Sequence, residues 1–368
     1  MVDSDDLIRP EHPHNNITPS VANLINRNLL EQPHHPLQII KSKIFDYFDK
    51  NFTDESGTPI FQKVNGTSPV VTTDQAFDRI LIPPDHVSRG MSDTFYVDET
   101  TVLRPHTSAH QVDMLRAGKE AFLVAGDVYR RDEVDQTHYP VFHQMEGVRI
   151  MPDGDARTKE EVKAELQQVL EGMCDSLFPG VEKRWVDAYF PFTEPSTELE
   201  IFYDGDWLEV LGAGVVHDKV MENGGVGHRK GWAFGLGIER LAMVLFKIPD
   251  IRLFWSQDRR FVEQFQDGQI SVFKPYSKYP PCLKDITFWV PESFHENDFY
   301  SVVRDIGGDL IERVELRDEF QHPKTLRNSK CYRITYRSMD RSLSNAEIDE
   351  MQFTIRDLVQ EKLQVELR

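Results

Sequence analysis

Cysteine is scarce. The 368 residues hold three, Cys174, Cys282 and Cys331, far apart and never in CxxC or CxxH spacing. That pattern excludes a zinc knuckle and a disulfide framework, and it fits a reducing compartment. Long apolar runs are missing too: none nears the roughly 18 residues that a membrane helix needs, so a spanning segment is excluded. The first residues, "MVDSDD", are rich in acid and lack both arginine and an apolar core. They resemble neither a transit peptide nor a secretory signal, so a leader is expected to be absent or already removed. No internal repeat is visible. Positive charge is in deficit, with 42 Lys+Arg against 61 Asp+Glu and a net charge of -19. Taken as a total, that balance argues against a nucleic-acid partner, because phosphates need a positive surface.

What is present changes that picture. Residues 274–368 hold 15 basic and 17 acidic residues, so -17 of the charge lies elsewhere. Within this end Lys324, Arg327, Lys330, Arg333, Arg337 and Arg341 are interrupted only by Asp340. The run reads either as a basic patch or as a solvated face. The length suggests two domains. Residues 1–35, rich in Asn, Pro and His, read as an extension on the main domain. From Pro36 the stripe Leu37, Ile40, Ile44, Phe45 and Phe48 predicts a helix. "TKEE" predicts a second one, capped by Thr158 with Glu161 and ending before "PG" at 179. Between and after them "FLVAGDVYR", "VFHQMEGVRI", "LEIFYD" and "WLEVLGAGVV" read as strands. The mixture predicts an α+β fold, an antiparallel sheet flanked by helices, over 36–270. A linker is expected over 271–282. Beyond it the pattern reads strand, helix, strand, strand, helix, strand, the ferredoxin-like β-α-β-β-α-β unit, over 283–368.

The chemistry concentrates in a few stretches. "YRRDEVDQTHYPVFHQME" reads as two β segments around an acidic loop. Alternation puts Arg130 with Asp132 on one face, and Phe142, Gln144 and Glu146 on one face. If the two faces coincide, the hairpin offers a guanidinium fork for phosphate, a ring for a purine, and an amide and carboxylate for an ammonium group. A salt-bridged hairpin remains the plain alternative. In "GWAFGLGIERLAMVLF", Gly231, Ala233, Gly235 and Gly237 leave a strand bare enough for a ligand to lie on. Arg240 follows in the first helical turn, where a cation opposes the dipole unless it holds an anion. The alternative is glycine-rich packing. "YFPFTEP" puts Phe190 and Phe192 on one side of a strand, with Pro191 marking an edge or bulge. They are either ring clamps or ordinary core. In "RPHTSAHQ", His106 and Ser108 alternate onto one face of a strand end.

Together and in this order the stretches resemble one family. "YRRD…FHQME" is similar to the second signature of class II aminoacyl-tRNA synthetases and "GLGIER" to the third. The Pro36 helix with "FDRILIPPDHVSR" resembles the first. "HTS", "FPFTEPS" and "GAGVVH" narrow the resemblance to the phenylalanyl-tRNA synthetase family in its single-chain organellar form, over about residues 34–368. Val87 stands where that family usually has proline, and Pro105 where it has Thr or Ala; either could alter a local loop.

The resemblance implies an ATP-dependent ligase of the mitochondrial matrix, monomeric, with ATP and Mg2+ as cofactors and phenylalanine and tRNA(Phe) as partners. It implies that Arg130 and Arg240 are catalytic and bind ATP with His138 and Phe142. His106, Ser108, Gln144, Glu146, Phe190, Phe192 and Ala233 would bind the amino acid. Glu198 and Glu209 would hold the metal. Lys330, Arg333 and Arg337 would meet tRNA from an anticodon-binding tail. No segment is long enough for an editing domain, so none is expected. Two rival readings are an inactive RNA-binding paralogue and a ligase that adenylates another acid. The first predicts a lost phosphate arginine, yet Arg130 and Arg240 are both present. The second has no use for the tail.

Overall fold

The computed structural model describes residues 5–265, 268–275 and 279–368. Its central feature is a seven-stranded sheet in the order β1-β5-β6-β10-β9-β8-β7. The strands are β1 (Gln62–Val64), β5 (Ala121–Tyr129), β6 (Val141–Ile150), β7 (Lys183–Phe190), β8 (Thr193–Tyr203), β9 (Asp206–Val216) and β10 (Gly231–Gly237). Every pairing is antiparallel except β1 with β5. A small sheet of β2 (Val70–Thr72), β3 (Tyr96–Asp98) and β4 (Thr101–Leu103) sits beside it.

Two long helices cover one face. The first, Pro36–Asn51, starts with proline at its first position, where no N–H is missed. It buries the predicted stripe Leu37, Ile40, Ile44, Phe45 and Phe48. The second, Lys159–Leu177, carries the predicted capping box: Glu161 N–H donates to Thr158 Oγ1 at 3.2 Å, and Thr158 N–H to Glu161 Oε2 at 2.7 Å. Such a cap is worth about 1 kcal/mol. With the helix Ile238–Phe246 they enclose a core that also takes Leu7, Ile17, Val21 and Leu29 from the N-terminal stretch. That stretch is stitched to the small sheet, as Asn15 donates to Val97 O at 3.0 Å and Asn16 to Thr94 O at 2.9 Å.

The expected linker includes residues 276–278, which lie outside the described residues, and Cys282 already begins a strand. The tail pairs β11 (Cys282–Val290), β12 (Ile311–Gln321), β13 (Asn328–Tyr336) and β14 (Glu366–Leu367) in the order β12-β13-β11-β14. The helices Glu296–Gly307 and Asn345–Leu363 close its core over Phe288, Tyr332 and Ile334. This is the ferredoxin-like arrangement. The molecule is therefore α+β, a largely antiparallel sheet flanked by helices followed by a ferredoxin-like tail. No helix among the described residues is long and apolar enough to cross a membrane.

The single basic face that the run 324–341 suggested does not form. Lys330 and Arg333 are three apart on β13, and odd spacing sends them to opposite faces of the sheet. Lys330 pairs with Glu296 at 2.6 Å, Arg333 with Asp285 at 2.8 Å, and Arg337 with Glu312 at 3.0 Å. Most of the run is thus answered by acids from neighbouring elements.

Candidate active site

The β5–β6 hairpin sets the site. Register puts Val128 opposite Phe142, Gly126 opposite Gln144 and Val124 opposite Glu146. Just past β5, Arg130 N–H donates to Pro140 O at 3.0 Å. Positions 130, 142, 144 and 146 do share a face, and the Arg130 guanidinium lies 5.2 Å from the Phe142 ring centroid. Its Nε donates to Pro105 O at 2.7 Å. Asp132 does not continue the strand pattern, because β5 ends at Tyr129. The chain is drawn off there by the tail, where Arg304 Nη2 donates to the carbonyls of Asp132 at 3.1 Å and Glu133 at 2.8 Å.

One cross-strand row explains the glycines. Glu146 faces Gly235, Gly235 faces Gly212, and Gly212 faces Glu198. A Cβ on Gly235 or Gly237 would meet nothing within 4 Å, whereas one on Gly212 would meet the Phe190 ring at 2.6 Å. The bare row thus leaves ligand space at one point and seats an aromatic ring at the next. Above it lie two adjoining cavities. The larger, about 570 Å³, is bordered by His106, Ser108, Gln144, Glu146, Phe190, Phe192 and Ala233, all the residues expected to hold the amino acid. The smaller, about 290 Å³, is bordered by Arg130, His138, Phe142 and Arg240, the residues expected at ATP. Arg130, Asp132, Gln144, Glu209 and Gly235 border both. Glu198 borders neither.

Two local expectations need correction. His106 and Ser108 are not on a strand end: Thr107–His110 is a 3-10 turn that His106 precedes. Both residues still reach the cavity because the turn, packed under β5, swings them inward. Phe190 closes β7 at a bulge, but Pro191 and Phe192 form the turn into β8 rather than a strand. Proline without an N–H ends the ladder there. The rings nevertheless lie side by side, 5.9 Å between centroids and 12° between planes.

Burial governs the electrostatics. It pushes the Glu146 carboxyl up to about 7, opposed by the hydroxyls of Ser108 and Thr107. Neither Glu146 oxygen has a well-formed hydrogen bond. His106 is driven down to about 3 by burial and by the Arg130 charge, so its ring is neutral. Its two ring nitrogens also lack a well-formed bond within the protein. A buried carboxyl and a buried imidazole left unsatisfied are groups that await a ligand. Burial and the charges of Glu209 and Glu200 raise Glu198, while Arg240 lowers it. Arg240 Nη1 meets Glu209 Oε2 at 3.2 Å. His138 is raised through its 2.8 Å bond to Asp135.

Some site features have no signal in the local sequence. Asn297, from the tail, borders the larger cavity and donates to Ser92 O and Arg131 O, each at 3.1 Å. Glu239 holds His143 from below, Oε2 to the backbone N–H at 2.8 Å and Oε1 to Nδ1 at 2.6 Å. Gly212 is half of a ring contact visible only across strands. Alternation could have flagged His143 as an inward polar residue in search of a partner.

A sheet with one arginine on a hairpin and another in a glycine-led helix, feeding adjoining cavities, is the arrangement of a class II aminoacyl-tRNA synthetase. The family model described as tRNA synthetases class II core domain (F) matches residues 24–265, and the ferredoxin-fold anticodon binding domain matches 277–368. The chain is 52% identical over 370 residues to phenylalanine–tRNA ligase, chloroplastic/mitochondrial, of Arabidopsis thaliana, covering 99% of this chain and 85% of that one. It is 48% identical to the mitochondrial phenylalanine–tRNA ligase of Mus musculus, covering 98% and 87%. The Saccharomyces cerevisiae mitochondrial enzyme is 37% identical, with 96% and 92% covered. The chain belongs to the phenylalanine–tRNA ligase family, in its single-chain organellar form.

Proposed function

We propose that this ligase attaches phenylalanine to tRNA(Phe) through a phenylalanyl-adenylate, in the matrix of an organelle and as a monomer. The observation that carries the reading is the partition of the two cavities: Phe190, Phe192 and Glu146 on one side, Phe142 and Arg240 on the other, and Arg130 and Gln144 between them. The phenylalanine ring enters between Phe190, Phe192 and Ala233. Its ammonium meets Glu146 and Gln144, with His106 and Ser108 beside the carboxylate. Phe142 takes adenine, Arg130 the α-phosphate, and His138 and Arg240 the far end of the triphosphate. The carboxylate attacks the α-phosphorus, pyrophosphate leaves, and the terminal adenosine 2′-hydroxyl then takes the acyl group. No protein atom becomes covalently linked. Catalysis is positioning and charge stabilisation.

Magnesium fits this face. Glu198, raised by burial and then by its acidic neighbours, and Glu209 supply hard oxygen donors beside Arg240. Bound there, the ion would neutralise phosphate charge. On the same reading 36–270 is the catalytic domain and 283–368 the tRNA-reading domain, joined by 271–282 and preceded by an extension over 1–35. In the tail, Lys330, Arg333 and Arg337 would exchange intrachain acids for phosphates, a weaker contribution than a free patch makes.

The test is amino-acid-dependent ATP/pyrophosphate exchange. Phenylalanine should support it, and Arg240→Ala should abolish it by removing a transition-state charge partner; exchange untouched by the substitution would remove Arg240 from the mechanism. An apolar pocket rejects an added hydroxyl by only about a hundredfold. With no hydrolytic domain expected, Tyr-tRNA formed by the enzyme should persist. Rapid enzyme-dependent release of tyrosine would contradict that.

A further inference from the structure

His12 and His14, in the histidine-rich N-terminal stretch, border neither cavity of the active site. The fold nevertheless gathers them at one point. His12 N–H donates to Arg9 O at 2.9 Å and Asn15 N–H to His12 O at 2.9 Å, and these successive turns carry both imidazoles to the tip of the β3–β4 turn, where Glu99 stands. His12 Nε2 lies 3.5 Å from Glu99 Oε2, and His14 Nδ1 lies 3.3 Å from Glu99 Oε1. All three ligand atoms fall within 4.8 Å of one another. Among the described residues no Lys or Arg pairs with Glu99. His14 Nδ1 is shielded from water, and its approach to Glu99 is not a well-formed hydrogen bond. A shielded ring nitrogen that faces a carboxylate oxygen without bonding to it leaves a place for a cation.

The spacing suits zinc. Imidazole nitrogens and a carboxylate oxygen bound to zinc at about 2.0–2.2 Å in a tetrahedron stand roughly 3.3–3.5 Å from one another. The two His–Glu separations already match, so only the His12–His14 pair has to draw in. Water completes the tetrahedron. Magnesium and calcium ask for more oxygen donors than this set offers. The scaffold is held before any ion arrives: Arg9 Nη1 lies 3.6 Å from Asp98 Oδ2, Arg9 N–H donates to Asn15 Oδ1 at 3.2 Å, and Asn15 Nδ2 donates to Leu7 O at 2.8 Å. One bond opposes ligation. His14 N–H donates to His12 Nδ1 at 3.3 Å, and binding through Nε2 puts the His12 proton on Nδ1, so that contact is given up. A single long hydrogen bond is a small loss against three metal–ligand bonds.

We propose that His12, His14 and Glu99 form a zinc site that clips the N-terminal stretch to the small sheet. The clip bears on the active site through Asn16, which donates to Met91 O and Thr94 O at 2.9 Å each, since Asp93 and Thr94 border the larger cavity. The full-length protein, stripped with a chelator, is titrated with zinc chloride by calorimetry, with excess magnesium present to fill oxygen-rich sites. Wild type should bind zinc, and His12→Ala, His14→Ala and Glu99→Gln should each weaken binding by roughly 10- to 100-fold or more. Zinc at a hundredfold above its Kd should also slow hydrogen exchange of the Asn15 and Asn16 amides, which donate to His12 O and Tyr96 O, by about a hundredfold in wild type only. Zinc affinity that survives in the folded double variant His12→Ala with His14→Ala belongs elsewhere, for instance at Glu133, Asp135 and His138, and would overturn the site. Unchanged exchange of the two amides would overturn it as well. If the double variant does not fold, Glu99→Gln at the turn tip decides by the same two readings.

Discussion

At the scale of single residues, Glu146 makes the clearest commitment. Its carboxyl, raised to about 7 by burial, carries a proton below that pH and cannot pair with an ammonium. Above it the carboxylate forms. Phenylalanine binding should therefore strengthen as pH rises from about 6 to about 8, seen as a falling KM for phenylalanine in exchange. Glu146→Gln should raise that KM at the upper pH and flatten the profile; an unchanged profile would dismiss Glu146 as the ammonium partner. The sign for stability is opposite. A carboxyl whose folded pKa lies above its unfolded value opposes folding once pH exceeds the unfolded value. The same substitution should thus raise the Tm of the unliganded protein near neutral pH. The residue types at this site were legible in the chain, because alternation along β6 dictates that 142, 144 and 146 share a face. The shift of Glu146 was not, since it depends on what buries it.

At the scale of elements, the link between β6 and the helix Ile238–Phe246 holds the two sides of the smaller cavity in register. Glu239 clamps His143 by its backbone and its ring, and both side chains are buried. Phe142 and Gln144 flank one partner, and Arg240 follows the other. Leaving buried hydrogen-bonding groups without their partner costs about 1–3 kcal/mol. Glu239→Ala should lower the Tm and reduce kcat for exchange more than it changes the phenylalanine KM, while Glu239→Gln recovers part of the rate. Equal effects of Ala and Gln, confined to Tm, would mean packing alone. Helices were read closely from their caps and stripes, as Thr158 with Glu161 and the stripe from Leu37 to Phe48 show. The turn at Thr107–His110 and the turn after Phe190 were read as strands, because short irregular segments take their shape from what they pack against.

At the scale of the whole molecule, the tail is built onto the loop that carries His138. Val134 lies in the tail's own apolar core, and Val314 N–H donates to Val134 O at 2.8 Å. Arg131 pairs with Asp298 at 2.9 Å, and Tyr139 donates to Asp309 at 2.8 Å. Arg304→Ala should loosen this loop and raise the ATP KM in exchange several-fold, since the Asp132 and Glu133 carbonyls each lose a donor. The phenylalanine KM should stay nearly constant. An unchanged ATP KM would show that the loop holds its shape without the tail.

By itself the sequence determined the elements whose shape is local: capped amphipathic helices, alternating strands, the order of the tail, and the residue types of the site. These follow from periodicity and backbone chemistry within a few residues. Tertiary structure alone decided that a tail asparagine borders the larger cavity, that Phe190 rests on Gly212, and that the basic run is largely neutralised. Each of these joins residues far apart in the chain, and burial, charge pairing and the pKa of Glu146 exist only once those residues meet.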